Sequence, residues 1–96
     1  MELFIIARIH ARLGNESEVE AALREVSSPT REEPGCLGYH VYRSTRDSAL
    51  FYIHSRWQNE AAFDIHAGLP HTVRFIKRLE PLIDHELDVT RARLMI

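Results

Sequence analysis

The chain has 96 residues, 45% apolar and 27% charged, which bounds it to a single domain, residues 1–96, with one modest core. A formal net charge of −2 offers no basic face for nucleic acid or an anionic membrane surface. No apolar run approaches the roughly 20 residues that span a bilayer. The one cysteine, Cys36, leaves no internal disulfide and no cysteine-based zinc cluster, and suits a reducing cytoplasm. The opening run Leu3-Phe4-Ile5-Ile6-Ala7 is too short for a signal sequence and lacks a basic flank.

Alternation predicts a first strand over residues 3–12, with Leu3, Ile5, Ala7, Ile9 and Ala11 on one apolar face. Phe4, Ile6, Arg8, His10 and Arg12 form the other face, which begins apolar and ends charged. Gly14 and Asn15 break the strand, and Asn15-Glu16-Ser17-Glu18 has the pattern of a capping box. Val19, Ala22, Leu23 and Val26 then form one helical stripe. Ser27-Ser28-Pro29 is expected to end that helix, with one more turn over Thr30 to Glu33 before Pro34-Gly35.

A second strand is expected from Cys36 to Ser44, with Leu37, Tyr39 and Val41 on one side and Gly38, His40 and Tyr42 on the other. The polar loop Thr45-Arg46-Asp47-Ser48 turns it into a third strand, Leu50 to Trp57, an antiparallel neighbour. Phe51, Ile53, Ser55 and Trp57 share one face of that strand. Asn59 is a good N-cap for a short helix over residues 60–67, which Gly68 and Pro70 stop. Pro70 also suits the start of a further helix, with Val73, Ile76 and Leu79 on one side, Phe75 beside them, and Pro81 ending it near Glu80. A last strand is expected from about His85 to Met95.

This order is β-α-β-β-α-β, an α+β ferredoxin-like fold with helices on one face of a four-stranded antiparallel sheet. The other face has no cover from its own chain. Phe4, Ile6, Tyr42 and Tyr52 lie there among Arg and His residues, and a second copy burying that face is the expected arrangement, a homodimer with sheets face to face.

Glu33-Pro34-Gly35-Cys36-Leu37-Gly38-Tyr39, then Phe51-Tyr52 and Trp57, then Phe63-x-x-His66-x-x-x-Pro70-His71, together resemble the antibiotic biosynthesis monooxygenase (ABM) domain family of dimeric α+β barrels. The resemblance covers essentially the whole chain and implies a small cytoplasmic protein with a pocket between sheet and helices. It places Phe51, Ile53, Trp57, Phe63, His66, His71, Phe75 and Ile76 around a largely apolar cavity. It implies no cofactor. The haem-degrading branch is not expected, because Ala7 and Ile76 stand where that branch has an Asn and a His ligand, and neither side chain can hold iron.

The activity implied is cofactor-independent monooxygenation of a small phenolic or quinol-type aromatic by O₂. Such a site needs a dry chamber and a base titrating near working pH, and histidine supplies the base. His66 is the first candidate and His71 the second, with Phe51, Ile53, Trp57, Phe63, Phe75 and Ile76 binding the ring. Each also has a plain structural reading: His66 in the helix–sheet seam, His71 at a helix start, Trp57 as a corner anchor, and Phe51, Phe63 and Phe75 as core. The alternatives are an isomerase of a phosphorylated small molecule, using Arg74, Lys77 and Arg78, and a non-catalytic ligand-binding dimer. No two histidines have ligand-pair spacing, so no metal is expected.

Overall fold

The computed structural model describes all 96 residues. The elements are β1 (Leu3–His10), α1 (Glu16–Arg31), β2 (Cys36–Arg43), β3 (Leu50–Trp57), α2 (Glu60–Gly68), α3 (Pro70–Leu79), a 3₁₀ turn (Glu80–Leu82) and β4 (Asp88–Ala92). The strands form one sheet in the order β2-β3-β1-β4, every pair antiparallel. This is the ferredoxin-like arrangement expected from the element order.

The pleat sorts residues as the alternation requires. Leu3, Ile5, Ala7 and Ile9 of β1 and Phe51, Ile53, Ser55 and Trp57 of β3 are buried beneath the helices. The main core joins Ala7, Ile9, Phe51 and Ile53 to Val19, Leu23 and Val26 of α1 and to Phe75 and Leu79 of α3. A smaller cluster, Leu3, Ile5 and Trp57, lies under α2 and packs on Ala62 and Phe63. Across the open face run the pairs His40–His54, Ile6–His54 and Tyr42–Tyr52, with Ile6 and Tyr42 exposed.

Six sequence expectations need correction. First, α1 does not stop at Ser27-Ser28-Pro29 but runs to Arg31 with Pro29 inside it. The missing N–H of Pro29 costs one backbone bond, but Val26, Ser27 and Thr30 are buried on the sheet and hold the last turn in place. The hydroxyls of Ser27 and Thr30 donate to the carbonyls of Leu23 and Val26, both at 2.7 Å. Second, Asn15 makes no side-chain cap. The Glu16 carboxylate instead accepts from the Gly14 N–H at 3.0 Å, at the one residue with positive φ, 91°.

Third, β1 ends at His10, and Ala11 makes only an isolated bridge to Ile83. Fourth, β4 is confined to Asp88–Ala92, the length that has a β1 partner. Fifth, a bulge between Cys36 and Gly38 leaves Leu37 unpaired and exposed, away from the face shared by Tyr39 and Val41. Sixth, α3 buries Thr72, Phe75 and Leu79, so Val73 is exposed. No helix is long and apolar enough to cross a membrane.

Candidate active site between the sheet and the helices

Three chain segments converge at the end of the sheet where β3 leaves it. The turn between α1 and β2 brings Glu33. Its backbone is fixed by Glu33 N–H donating to the Thr30 carbonyl at 3.1 Å and Cys36 N–H donating to the Glu33 carbonyl at 3.0 Å. Gly35 lets this turn touch α2: a Cβ there would lie 2.4 Å from the Ala62 Cβ. The start of α2 is set by Asn59, whose side-chain oxygen accepts from the Ala62 N–H at 2.9 Å. His66 follows in the last turn of α2, and Leu69-Pro70 redirects the chain so that His71 stands in the first turn of α3.

One carboxylate oxygen serves both imidazoles. Glu33 Oε2 lies 2.7 Å from His66 Nδ1 and 2.8 Å from His71 Nε2. A carboxylate only accepts, so both ring nitrogens donate to it. His66 is thereby held in the tautomer with its proton on Nδ1, which leaves Nε2 as a free acceptor. Nε2 has no protein partner, and no sealed side-chain nitrogen lacks one, so that edge of the ring faces open space. The Thr72 hydroxyl lies 3.3 Å from Nδ1. The Trp57 and Phe63 rings pack against the imidazole at 4.6 and 5.5 Å between centroids.

Beside His66 is a cavity of about 240 Å³, walled mainly by apolar side chains. The sheet supplies Ile5, Ala7, Tyr39, Ile53 and Ser55; the helices supply Val26, Phe63, His66, Thr72, Phe75 and Ile76; Leu87 and Val89 close the β4 side. Burial pushes the Tyr39 phenol well above its usual range, so it stays a neutral hydroxyl. Outside, Arg91 clips β4 to α2, 2.8 Å from Asp64 and over the Phe63 ring at 5.0 Å.

Of the residues expected at the cavity, Ile53, Phe63, His66, Phe75 and Ile76 line it. His71 does not; it reaches the site through Glu33. Phe51 is core beneath α1, its ring under the Arg43 guanidinium at 4.5 Å. Trp57 is fully buried behind His66, its indole N–H donating to Ser55 Oγ at 2.9 Å. Both stand at inward positions of β3, but the cavity opens only at the middle of the strand. Sequence reasoning passed over Glu33, Tyr39, Ser55 and Thr72. The segment Glu33-Pro34-Gly35 was visible as a motif, yet nothing local shows a carboxylate meeting histidines 33 and 38 residues further on.

The family model described as antibiotic biosynthesis monooxygenase matches residues 3–78. The chain belongs to that family. This ABM domain is 31% identical over 86 residues to the Mycobacterium tuberculosis protein Rv0793, named a candidate monooxygenase, covering 90% of this chain and 84% of that one. The solved structure of Rv0793 superposes with a TM-score of 0.95 at 27% identity, covering 100% and 97% of the two chains. PA3566 from Pseudomonas aeruginosa gives a TM-score of 0.92 at 32% identity, over 99% and 95%. A crystal structure of an antibiotic biosynthesis monooxygenase gives 0.92 at 26%, over 98% and 99%.

Proposed function

We propose that this ABM domain is a cofactor-independent monooxygenase that oxidises a small phenolic or quinol-type aromatic with O₂, and that His66 is its base. The observation that carries the reading is an imidazole in the wall of an apolar cavity, oriented by Glu33 through Nδ1 and without a protein partner on Nε2. Nε2 takes the phenolic proton, and Glu33 stabilises the imidazolium formed, the role a carboxylate plays behind a catalytic histidine. The phenolate passes an electron to O₂, and the resulting radical pair joins at a ring carbon as a peroxide. The imidazolium returns its proton to that peroxide. Loss of water then leaves a quinone, with one oxygen atom in the product and the other in water. The mainly apolar lining limits the anion's contact with water.

Cavity size and charge narrow the substrate. About 240 Å³ exceeds the roughly 150 Å³ that accepts benzene and falls below the roughly 300 Å³ at which drug-sized sites begin. One or two rings fit. No Lys or Arg lines the cavity. Arg74 and Lys77 are exposed on α3, and Arg78 is paired with Glu25 on α1. That placement disfavours a phosphorylated substrate, and with it the isomerase reading.

A screen of quinols for oxygen uptake tests the proposal. Wild type is expected to consume O₂ with a one- or two-ring quinol, and His66→Ala to lose about 10²- to 10⁴-fold in kcat. Equal uptake by both proteins overturns the assignment of the base. Tight binding of a ring without uptake favours the non-catalytic ligand-binding reading.

The same reading includes a homodimer through the open sheet face. Ile6 and Tyr42 are exposed there beside Phe4 and Tyr52, an apolar and aromatic patch that suits a second copy.

A further inference from the structure

We infer that Glu33, His66 and His71 form a binding site for one divalent first-row transition-metal ion of the zinc type. Two imidazoles and one carboxylate make up the donor set of open zinc sites and of the two-histidine, one-carboxylate iron sites. Here the three donor atoms lie within 4.8 Å of one another. Ligand atoms sharing an ion tetrahedrally at about 2.0 to 2.2 Å stand about 3.3 to 3.6 Å apart. The two nitrogens stand 2.7 and 2.8 Å from Glu33 Oε2, so the ring edges need to open by about 0.5 to 0.9 Å.

The surroundings suit an ion as well as a shared hydrogen bond. Glu33 and His66 are each about nine-tenths buried, which strips water from the donors, while His71 is open enough to admit an ion. Trp57 and Phe63 pack against the His66 ring and fix its plane. Such packing holds a ligand in place. The three donors come from separate elements, so each is held by packing rather than by its sequence neighbours.

Binding redistributes two protons. Those on His66 Nδ1 and His71 Nε2 leave the ligating nitrogens, and each neutral ring takes a proton back on its opposite nitrogen, so none is lost overall. His66 Nε2 then carries N–H and can no longer accept. An ion in this site therefore silences the base proposed above.

The test uses the full chain, stripped with a chelator and titrated with Zn²⁺ by calorimetry, with Co²⁺ visible absorption as a second probe. One ion per chain is expected. Glu33→Gln, His66→Gln and His71→Gln are each expected to weaken binding at least about tenfold and to abolish the cobalt bands. His40→Ala and His10→Ala, at the other histidine clusters, are expected to leave binding unchanged. Circular dichroism melts establish that each variant is folded, and the partly exposed His71→Gln is decisive if a buried variant is not. Absence of binding, or binding lost with His40 or His10 instead, overturns the site. The readout contains no substrate, so failure of the oxygenase reading leaves this test intact.

Discussion

Glu33 holds two imidazoles through one oxygen, so its charge rather than its bulk is the feature to vary. Glu33→Gln keeps the shape but removes the negative charge that fixes the His66 tautomer and stabilises its protonated form. With a quinol that supports oxygen uptake, kcat is expected to fall at least about 10²-fold with the melting temperature little changed. Tyr39 supplies a hydroxyl at the same cavity, and its phenol is held neutral by burial. Tyr39→Phe is expected to raise KM about five- to tenfold, the value of one hydrogen bond, with little effect on kcat. Steady-state oxygen-electrode kinetics check both, and a drop in kcat for Tyr39→Phe counts against a purely binding role. At this scale the sequence was partly legible. His66, Phe63 and Ile53 stood out from residue type and alternation. Glu33 did not, because its partners are remote in sequence, and Thr72 was hidden because a polar residue in a helix reads as solvent-facing until its hydroxyl is found beside an imidazole.

At the scale of elements, the helices are held at short range by contacts that leave no slack. Gly35 is the clearest: the Ala62 Cβ at 2.4 Å leaves no room for a methyl group. Gly35→Ala is expected to push α2 off the turn and cost about 1 to 3 kcal/mol in chemical denaturation. A second junction lies at the opposite end of β1. There His10 Nδ1 meets Asp84 at 2.7 Å and Nε2 meets Asp47 at 3.0 Å, joining β1, the β2–β3 turn and the approach to β4. Asp84 first, and then Asp47, raise the His10 pKa above its usual value of 6.5. A raised folded-state pKa stabilises the fold below the unfolded value and is lost as pH rises through the folded one. Melting temperature is therefore expected to fall as pH climbs from about 6 to 8, and His10→Gln to flatten that slope. A wild-type slope kept in the variant assigns it elsewhere. Order and type of the strands and α-helices were readable from periodicity and stop signals, but the 3₁₀ turn over Glu80–Leu82 and the element ends were not. The first helix outlasts Pro29 because its buried face outweighs one absent N–H, and β4 is shorter than its alternation because only five residues find a partner.

The whole molecule presents two unlike surfaces: a helical layer that walls one side of the cavity, and a bare sheet carrying Ile6, Tyr42, Tyr52 and the His40–His54 pair. If a second copy covers that sheet, Ile6→Arg places a charge in the middle of the contact. Sedimentation velocity is then expected to show a dimer for wild type and a monomer for the variant. A wild-type monomer at every concentration overturns the expectation. The spread of the Glu33–His66–His71 cluster along the chain also bears on how this protein matures. The carboxylate arrives from the turn after the first helix, and its imidazoles arrive 33 and 38 residues later. A nascent chain, or one whose latter half has come loose, holds the acid and the imidazoles apart. If the proposed base acts as argued, turnover therefore reports that folding has run to completion.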